Sequence, residues 1–325
     1  MNRLLLPILL LMTACTAERP PLKTGRLNIV LGSPETRAAA STEAEKRIWN
    51  AQFLLFDRRG TLCYWHKTVF PEGTAAYSTE LTVPTGQVDI WVIANLTEDL
   101  RGIPDFNTLS AKKFLLTDNA LVNGADGGLV MAGSAGNVLV RESGTTSCFI
   151  QVKRLVARVH VGSIHNALPA GRTIASPTLQ LSNIAADRTL GSGSMPSRWC
   201  NKLLDQGSDL AAQAPFTGGN IAPGADWNCD ARLYAYPNPI TEDHLGGSVF
   251  TPRKTRLVFS CMLGDIRCYY PLTLDRLEEN KSYRVDLTLQ RPGSADPDIP
   301  VESGTFRFTV VPEDWNAPIS YEENL

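Results

Sequence analysis

Ser282-Tyr283-Arg284-Val285-Asp286-Leu287-Thr288-Leu289-Gln290 puts Tyr283, Val285, Leu287 and Leu289 on one side of an extended chain and Arg284, Asp286, Thr288 and Gln290 on the other. Side chains of a strand alternate between faces, so this stretch reads as a half-buried β-strand. The pattern recurs on both sides of it. Residues 177–184, 232–236, 255–262, 267–273 and 305–311 are short, alternating and bounded by Gly, Pro, Asn or Asp. The first half adds 25–31, 48–56, 62–70, 78–83, 87–95, 129–131, 138–141 and 148–161. In 87–95, Val88, Ile90, Val92 and Ala94 line one face while Trp91 and Ile93 line the other, which places that strand mid-sandwich. Only one short helix is expected, within 105–119. Many short strands with polar turns predict an all-β chain of two tandem β-sandwiches, residues 38–162 and 163–325. Residues 186–231, rich in Gly, Ser and Asn, read as a set of surface loops.

At 325 residues the chain suits about two domains, and its net charge of -2 provides no basic field for nucleic acid. The N-terminus is a processing signal: Arg3, an apolar run over 4–12, then small residues before Cys15. That run is too short to span a bilayer, so 1–14 read as a signal peptide. Met12-Thr13-Ala14-Cys15 resembles a bacterial lipobox, with Met where Leu is usual, and makes Cys15 the acylation site. Ordinary signal-peptidase cleavage would leave Cys15 incidental. No other apolar stretch is long enough to cross a membrane, so lipid would be the anchor. Six cysteines remain: Cys63, Cys148, Cys200, Cys229, Cys261 and Cys268. Export permits disulfides. Cys261 and Cys268 are symmetric about Gly264-Asp265, a hairpin turn signal, and should face each other as two buried thiols or as a bridge.

No catalytic constellation emerges, and neither a cofactor nor a metal is expected. His160 and His165 are five apart, which on a regular strand sends them to opposite faces. No Gly-x-Ser-x-Gly elbow or phosphate-binding glycine loop occurs, and Gly191-Ser192-Gly193-Ser194 reads as loop. Asp126, or Asp105 with Glu98 and Asp99, offers carboxylates for calcium, but solvated acidic turns are the commoner use of such residues.

The two ends of the chain invite comparison. Leu27, Ile29 and Leu31 alternate with Asn28 and Val30, and Arg37 follows in a small, polar loop of the kind that proteases cut. Arg26 and Arg47 are rival sites, one inside the strand and one at the start of the next. Near the other end, Trp315, Ala317, Ile319 and Tyr321 form a second apolar edge. Losing 25–31 would uncover apolar surface and open a sheet edge; a strand from 315–321 of another chain would cover both. Such a contact is head-to-tail and propagates as a filament. In the plainer reading each strand serves its own domain, with Trp315 capping the second core.

Several motifs, in order, carry a resemblance over nearly the whole chain after residue 25: Trp91-Val92-Ile93-Ala94-Asn95, Gly128-Leu129-Val130-Met131-Ala132-Gly133, Val152-Lys153-Arg154-Leu155-Val156-Ala157-Arg158, Leu233-Tyr234-Ala235-Tyr236-Pro237-Asn238, Tyr269-Tyr270-Pro271-Leu272, Asn280-Lys281-Ser282-Tyr283-Arg284-Val285 and Phe308-Thr309-Val310-Val311 with Trp315. With the lipobox, the set resembles the fimbrillin family that builds type V pili in Bacteroidia. The resemblance implies Greek-key, transthyretin-like sandwiches and export as an outer-membrane lipoprotein held by acyl chains on Cys15. It implies an arginine-specific protease cutting at Arg37-Ala38, so that 15–37 is a lipidated propeptide carrying the removable strand. The groove left behind would take the C-terminal strand of another copy or a related subunit, giving a surface fimbria that supports adhesion. Pro318 departs from a tidy donor strand, because it cannot donate a ladder hydrogen bond. Stalk, tip adhesin and uncleaved anchor all fit. The alternative is a glycan-binding surface lipoprotein using the 186–231 loops with Trp199 and Trp227.

Overall fold

The computed structural model describes residues 23–32, 43–71, 77–191, 193–203, 207–210, 213–243, 249–301 and 306–314. Strand accounts for 51% and helix for 7%, which makes the class all-β. The longer strands of the first half are β1 (Thr24–Gly32), β2 (Asn50–Phe56), β3 (Leu62–Val69), β4 (Tyr77–Pro84), β5 (Gly86–Ala94), β6 (Met131–Val140) and β7 (Thr145–Gln151). Those of the second half are β8 (Ala157–Asn166), β9 (Ala175–Ser182), β10 (Ala231–Ala235), β11 (Arg256–Leu263), β12 (Ile266–Thr273), β13 (Lys281–Leu289) and β14 (Phe306–Asp314). Two short helices, α1 (Glu43–Lys46) and α2 (Phe106–Ala111), complete the main elements. Asp105, weighed above as a calcium ligand, caps α2: its side chain accepts from the Thr108 N–H at 2.8 Å.

The first sandwich stacks a three-stranded sheet, β4-β1-β7, on a larger one, β3-β2-β5-β6. Its core is built from Leu27, Ile29, Phe53, Leu55, Val88, Ile90, Val92 and Ile150. In the second sandwich β8 lies beside β13, which carries β14 at the sheet edge, and faces β9-β11-β12. Pro312 sits in that edge strand opposite Tyr283, where a missing N–H costs the ladder least. Leu54, Phe56 and Ile93 point from the first sandwich into the core that also holds Val159, Leu181, Phe259 and Leu287. The two halves therefore share packed apolar surface.

The boundary between the halves sits earlier than 162/163. β8 pairs only with strands of the second half, so residues 157–162, read from the sequence as the end of the first unit, open the second. Alternation identifies a strand but not its partners, and 148–161 divides at Val152 into pieces that serve different sheets.

Residues 186–231 also differ from the expected surface loops. Asp187–Arg188 pairs with Phe114–Leu115 of the first half, and Trp199–Cys200 pairs with Ile184–Ala185. Ala186, Asp187, Arg188, Trp199, Cys200 and Ile221 are all buried. Gly- and Ser-rich composition reflects tight turns between these anchors, not exposure throughout. Cys261 and Cys268 face each other across the hairpin as expected. Both are buried free thiols. Burial, and then the nearby Cys268, pushes the Cys261 thiol up to about 12.

Candidate functional site: the first strand and its groove

β1 is the middle strand of its sheet. It runs antiparallel to β4, from Thr24 opposite Pro84 to Leu31 opposite Tyr77. On its other edge it runs parallel to β7, from Arg26 opposite Thr145 to Gly32 opposite Gln151. Each inward side chain therefore has a neighbour on both sides: Leu27 lies between Leu81 and Thr146, Ile29 between Thr79 and Cys148, and Leu31 between Tyr77 and Ile150. Leu27 and Ile29 are 0% exposed and Leu31 is 4% exposed. Fully burying three such side chains stabilises by roughly 5–9 kcal/mol, an upper estimate. The outward residues Arg26 and Val30 meet solvent. Val30 lies opposite the exposed Phe149.

The polar contacts of β1 are weak by comparison. Lys23 pairs with Glu142 at 2.8 Å and Arg26 with Glu80 at 3.8 Å, and every side chain involved is well exposed. Such pairs contribute little. What holds β1 is backbone pairing on two edges and three apolar side chains, features that another alternating strand can supply.

The chain leaves β1 at Gly32 and is described again from α1. Arg37 and Ala38 lie outside the described residues, as do Cys15 and the proposed donor positions Trp315, Ala317, Ile319 and Tyr321. Directly after that gap comes a group that sequence reasoning did not single out. Glu45 is 0% exposed. Its carboxylate accepts from Arg158 Nη1 and from the Tyr234 hydroxyl, both at 2.8 Å, and its carbonyl accepts from Arg154 Nε at 2.9 Å. Arg158 Nε also donates to Ser282 Oγ at 2.9 Å. Burial lowers the Arg154 pKa to about 10, with Glu45 opposing the shift. This cluster ties α1 to β8, β10 and β13 and fastens the chain just downstream of Arg37. A trace of it existed in the sequence: Arg154 and Arg158, four residues apart, bracket the apolar Leu155-Val156-Ala157.

Asn95, at the end of the Trp91 motif, is a second positioning residue. Its φ of 61° turns the chain out of β5. Its side chain accepts from the Trp49 N–H at 2.7 Å and donates to the Arg47 and Leu129 carbonyls at 2.9 Å.

The histidines depart from the expected geometry. A bulge between Val161 and Ile164 shifts the register of β8, and one extra residue restores both rings to the same face. His160 Nε2 meets Asp230 at 2.6 Å and His165 Nδ1 meets Asp226 at 2.8 Å. Among the described residues no group of three or more His, Cys, Asp or Glu side chains could hold a metal ion.

Residues 26–167 match the family model of the major fimbrial subunit protein, FimA. The match begins inside β1 and runs through the first sandwich to the end of β8. Over residues 26–167 the chain matches the fimbrillin family. No curated protein matches the sequence. Among solved structures, a candidate cell adhesion protein of Bacteroides eggerthii shares the fold at TM-score 0.66 and 18% identity, over 92% of this chain and 98% of that one. A fimbrilin of Porphyromonas gingivalis aligns at TM-score 0.63 and 14% identity, over 91% and 98%. The tip fimbrial protein Mfa3 of the same species, with a C-terminal truncation, aligns at 0.58 and 13%, over 90% and 100%. These identities carry the fold alone. The match supports a fimbrial structural or adhesion subunit of the cell surface, of a kind that assembles with other fimbrial subunits. No helix among the described residues is long and apolar enough to cross a membrane.

Proposed function

We propose that this chain polymerises by strand exchange after proteolysis. An arginine-specific protease cuts at Arg37-Ala38, β1 leaves with the lipidated Cys15 segment, and the C-terminal strand of another fimbrial subunit enters the vacated groove. In this chain the donor would be the run with Trp315, Ala317, Ile319 and Tyr321. The observation that carries the reading is the placement of β1: it is central to its sheet, yet it is the first described strand, joined to the rest only through the residues around Arg37. Its removal separates β4 from β7 and leaves backbone groups of both strands unpaired. The Glu45 cluster lies beyond the cut, so the rest of the fold keeps its buried ion pair.

Before cleavage, the acyl chains on Cys15 would hold the subunit to the outer membrane. The assembled fimbria would support adhesion. N-terminal sequencing of subunits sheared from cells tests the first step, and the expected start is Ala38. A chain ending at Asp314 tests the second. It keeps all of β14 and should fold as a monomer without forming filaments. Filaments from that truncated chain would sink the assignment of the donor. The glycan-binding alternative draws less support, because Trp199 is buried against Phe250, with ring centroids 5.6 Å apart, and Trp227 packs on Phe259.

A further inference from the structure

Gly25 lies at the start of β1, buried, on the same face as Leu27, Ile29 and Leu31. Its backbone is ordinary extended strand, so conformational freedom does not explain a glycine here. Space does. A side-chain carbon built on Gly25 would lie 2.0 Å from the Arg141 carbonyl oxygen and 2.9 Å from Val140 Cγ1. The obstacle is backbone, and it follows directly on Val140, which pairs with Gly86 at the end of β6. Gly32, at the other end of the strand, is different: a carbon there would meet the tips of the Phe149 and Gln151 side chains, which can swing aside.

We propose that the Arg141 carbonyl acts as a register stop for whatever strand occupies the groove. The occupant must present a residue without a side chain at the Gly25 place, followed by apolar residues two, four and six positions on. This rests on the exchange reading above and narrows its partner. Gly25-Arg26-Leu27-Asn28-Ile29-Val30-Leu31 satisfies the pattern. Residues 306–325 contain no glycine. Laid along β1 in either direction, the 315–325 run brings some side chain against the stop if it fills the groove. If Trp315 to Tyr321 all turn inward, Trp315 or Tyr321 meets the stop. If Ile319 and Tyr321 take the places of Leu27 and Ile29, Ala317 meets it. The groove therefore selects a related fimbrial subunit whose donor strand reads Gly-x-apolar-x-apolar-x-apolar, in preference to the 315–325 run of a second copy.

The test uses the full chain cut at Arg37 by an arginine-specific protease and incubated with excess synthetic strands. The strands are residues 23–32, the same peptide with Gly25→Val, the same peptide with Gly32→Val, and residues 313–325. Mass spectrometry reads the fraction of native β1 displaced. The unaltered and Gly32→Val peptides should exchange in. Overpacking against fixed backbone should make the Gly25→Val peptide about tenfold to a hundredfold weaker, and the 313–325 peptide should be comparably weak. If the Gly25→Val or the 313–325 peptide enters as well as the unaltered strand, the register stop is overturned while exchange itself stands. If no peptide displaces β1, including the unaltered one, the exchange reading falls and takes this inference with it.

Discussion

β1 and β8 hold the same place in their respective sandwiches. Each is the first strand of its unit, flanked by an antiparallel neighbour on one edge and a parallel one on the other. They differ in what is buried with them. β1 buries only apolar side chains, and its charges pair in solvent. β8 buries Arg158 against Glu45 and places His160 on Asp230, while its bulge is held by Asp286, which accepts from both the N–H and the hydroxyl of Ser163. Removing a strand that carries half of a buried ion pair strands the other half in a medium that cannot solvate it. Removing an apolar strand leaves only a surface that another apolar strand of matching spacing, with glycine at the Gly25 place, can cover. One position is thus committed to its own chain and the other is exchangeable, although the topology is the same.

The largest effect should come from breaking the committed strand. Glu45→Ala leaves Arg158 and Arg154 buried without the carboxylate, and should cost about 3–5 kcal/mol in urea unfolding. The second sandwich should be affected as much as the first, because the partners of Glu45 lie on β8 and β10. A loss confined to the first sandwich would show that the cluster does not join the halves. Next comes Ile29→Ala, expected toward the low end of about 2–5 kcal/mol, since Thr79 and Cys148 beside it are small enough to relax inward. Its distinguishing mark is locality: hydrogen exchange should quicken in β4 and β7 and stay unchanged in β13.

Much of this contrast was legible from residue order. Leu27, Ile29 and Leu31 announce a buried face by spacing alone, and Gly264-Asp265 announces a hairpin that aligns Cys261 with Cys268. The strands of 255–290 came out where alternation put them. What local pattern does not encode is pairing. Nothing in Val159 or Val161 says that their partners are β10 and β13 and not β6, so alternation alone puts the boundary between the units too late. Nor does a five-residue spacing between histidines show the bulge at Gly162-Ser163 that returns His165 to the face of His160. Glu45 was hidden for a related reason: a lone acid in a four-residue helix looks solvated until Arg158 and Tyr234, more than a hundred residues away, close over it.

A smaller, pH-dependent effect should also separate the two strands. Burial lowers the His160 pKa below its ordinary 6.5; the hydrogen bond to Asp230 opposes this, and Arg158 and Arg232 reinforce it. Arg284 lies opposite on β13. Folding therefore favours the neutral ring. Its contribution is complete above the unfolded-state value and is lost as pH falls through and below 6.5. Unfolding of the second sandwich between neutral pH and about pH 5 should show this slope, and His160→Gln should flatten it. The dissociation rate of β1 in the cut protein should not follow the same curve. If it did, the two strands would share an anchor that their contacts do not indicate.

The smallest effect is the one that bears most directly on why β1 is exchangeable. Lys23→Ala and Arg26→Ala remove the two ion pairs of that strand, with Glu142 and Glu80. Both pairs are solvent-exposed, so each substitution should change stability by no more than about 0.5 kcal/mol, and less as salt is raised. The reverse design is more informative. Replacing Ile29 with Arg and Thr79 with Glu would bury one charged pair across β1 and β4, in imitation of Arg158 and Glu45. If buried charge is what commits a strand to its own chain, β1 carrying that pair should resist displacement by the unaltered 23–32 peptide after cleavage at Arg37, even where overall stability has fallen. Displacement at the original rate would place the difference between the two strands in backbone pairing alone.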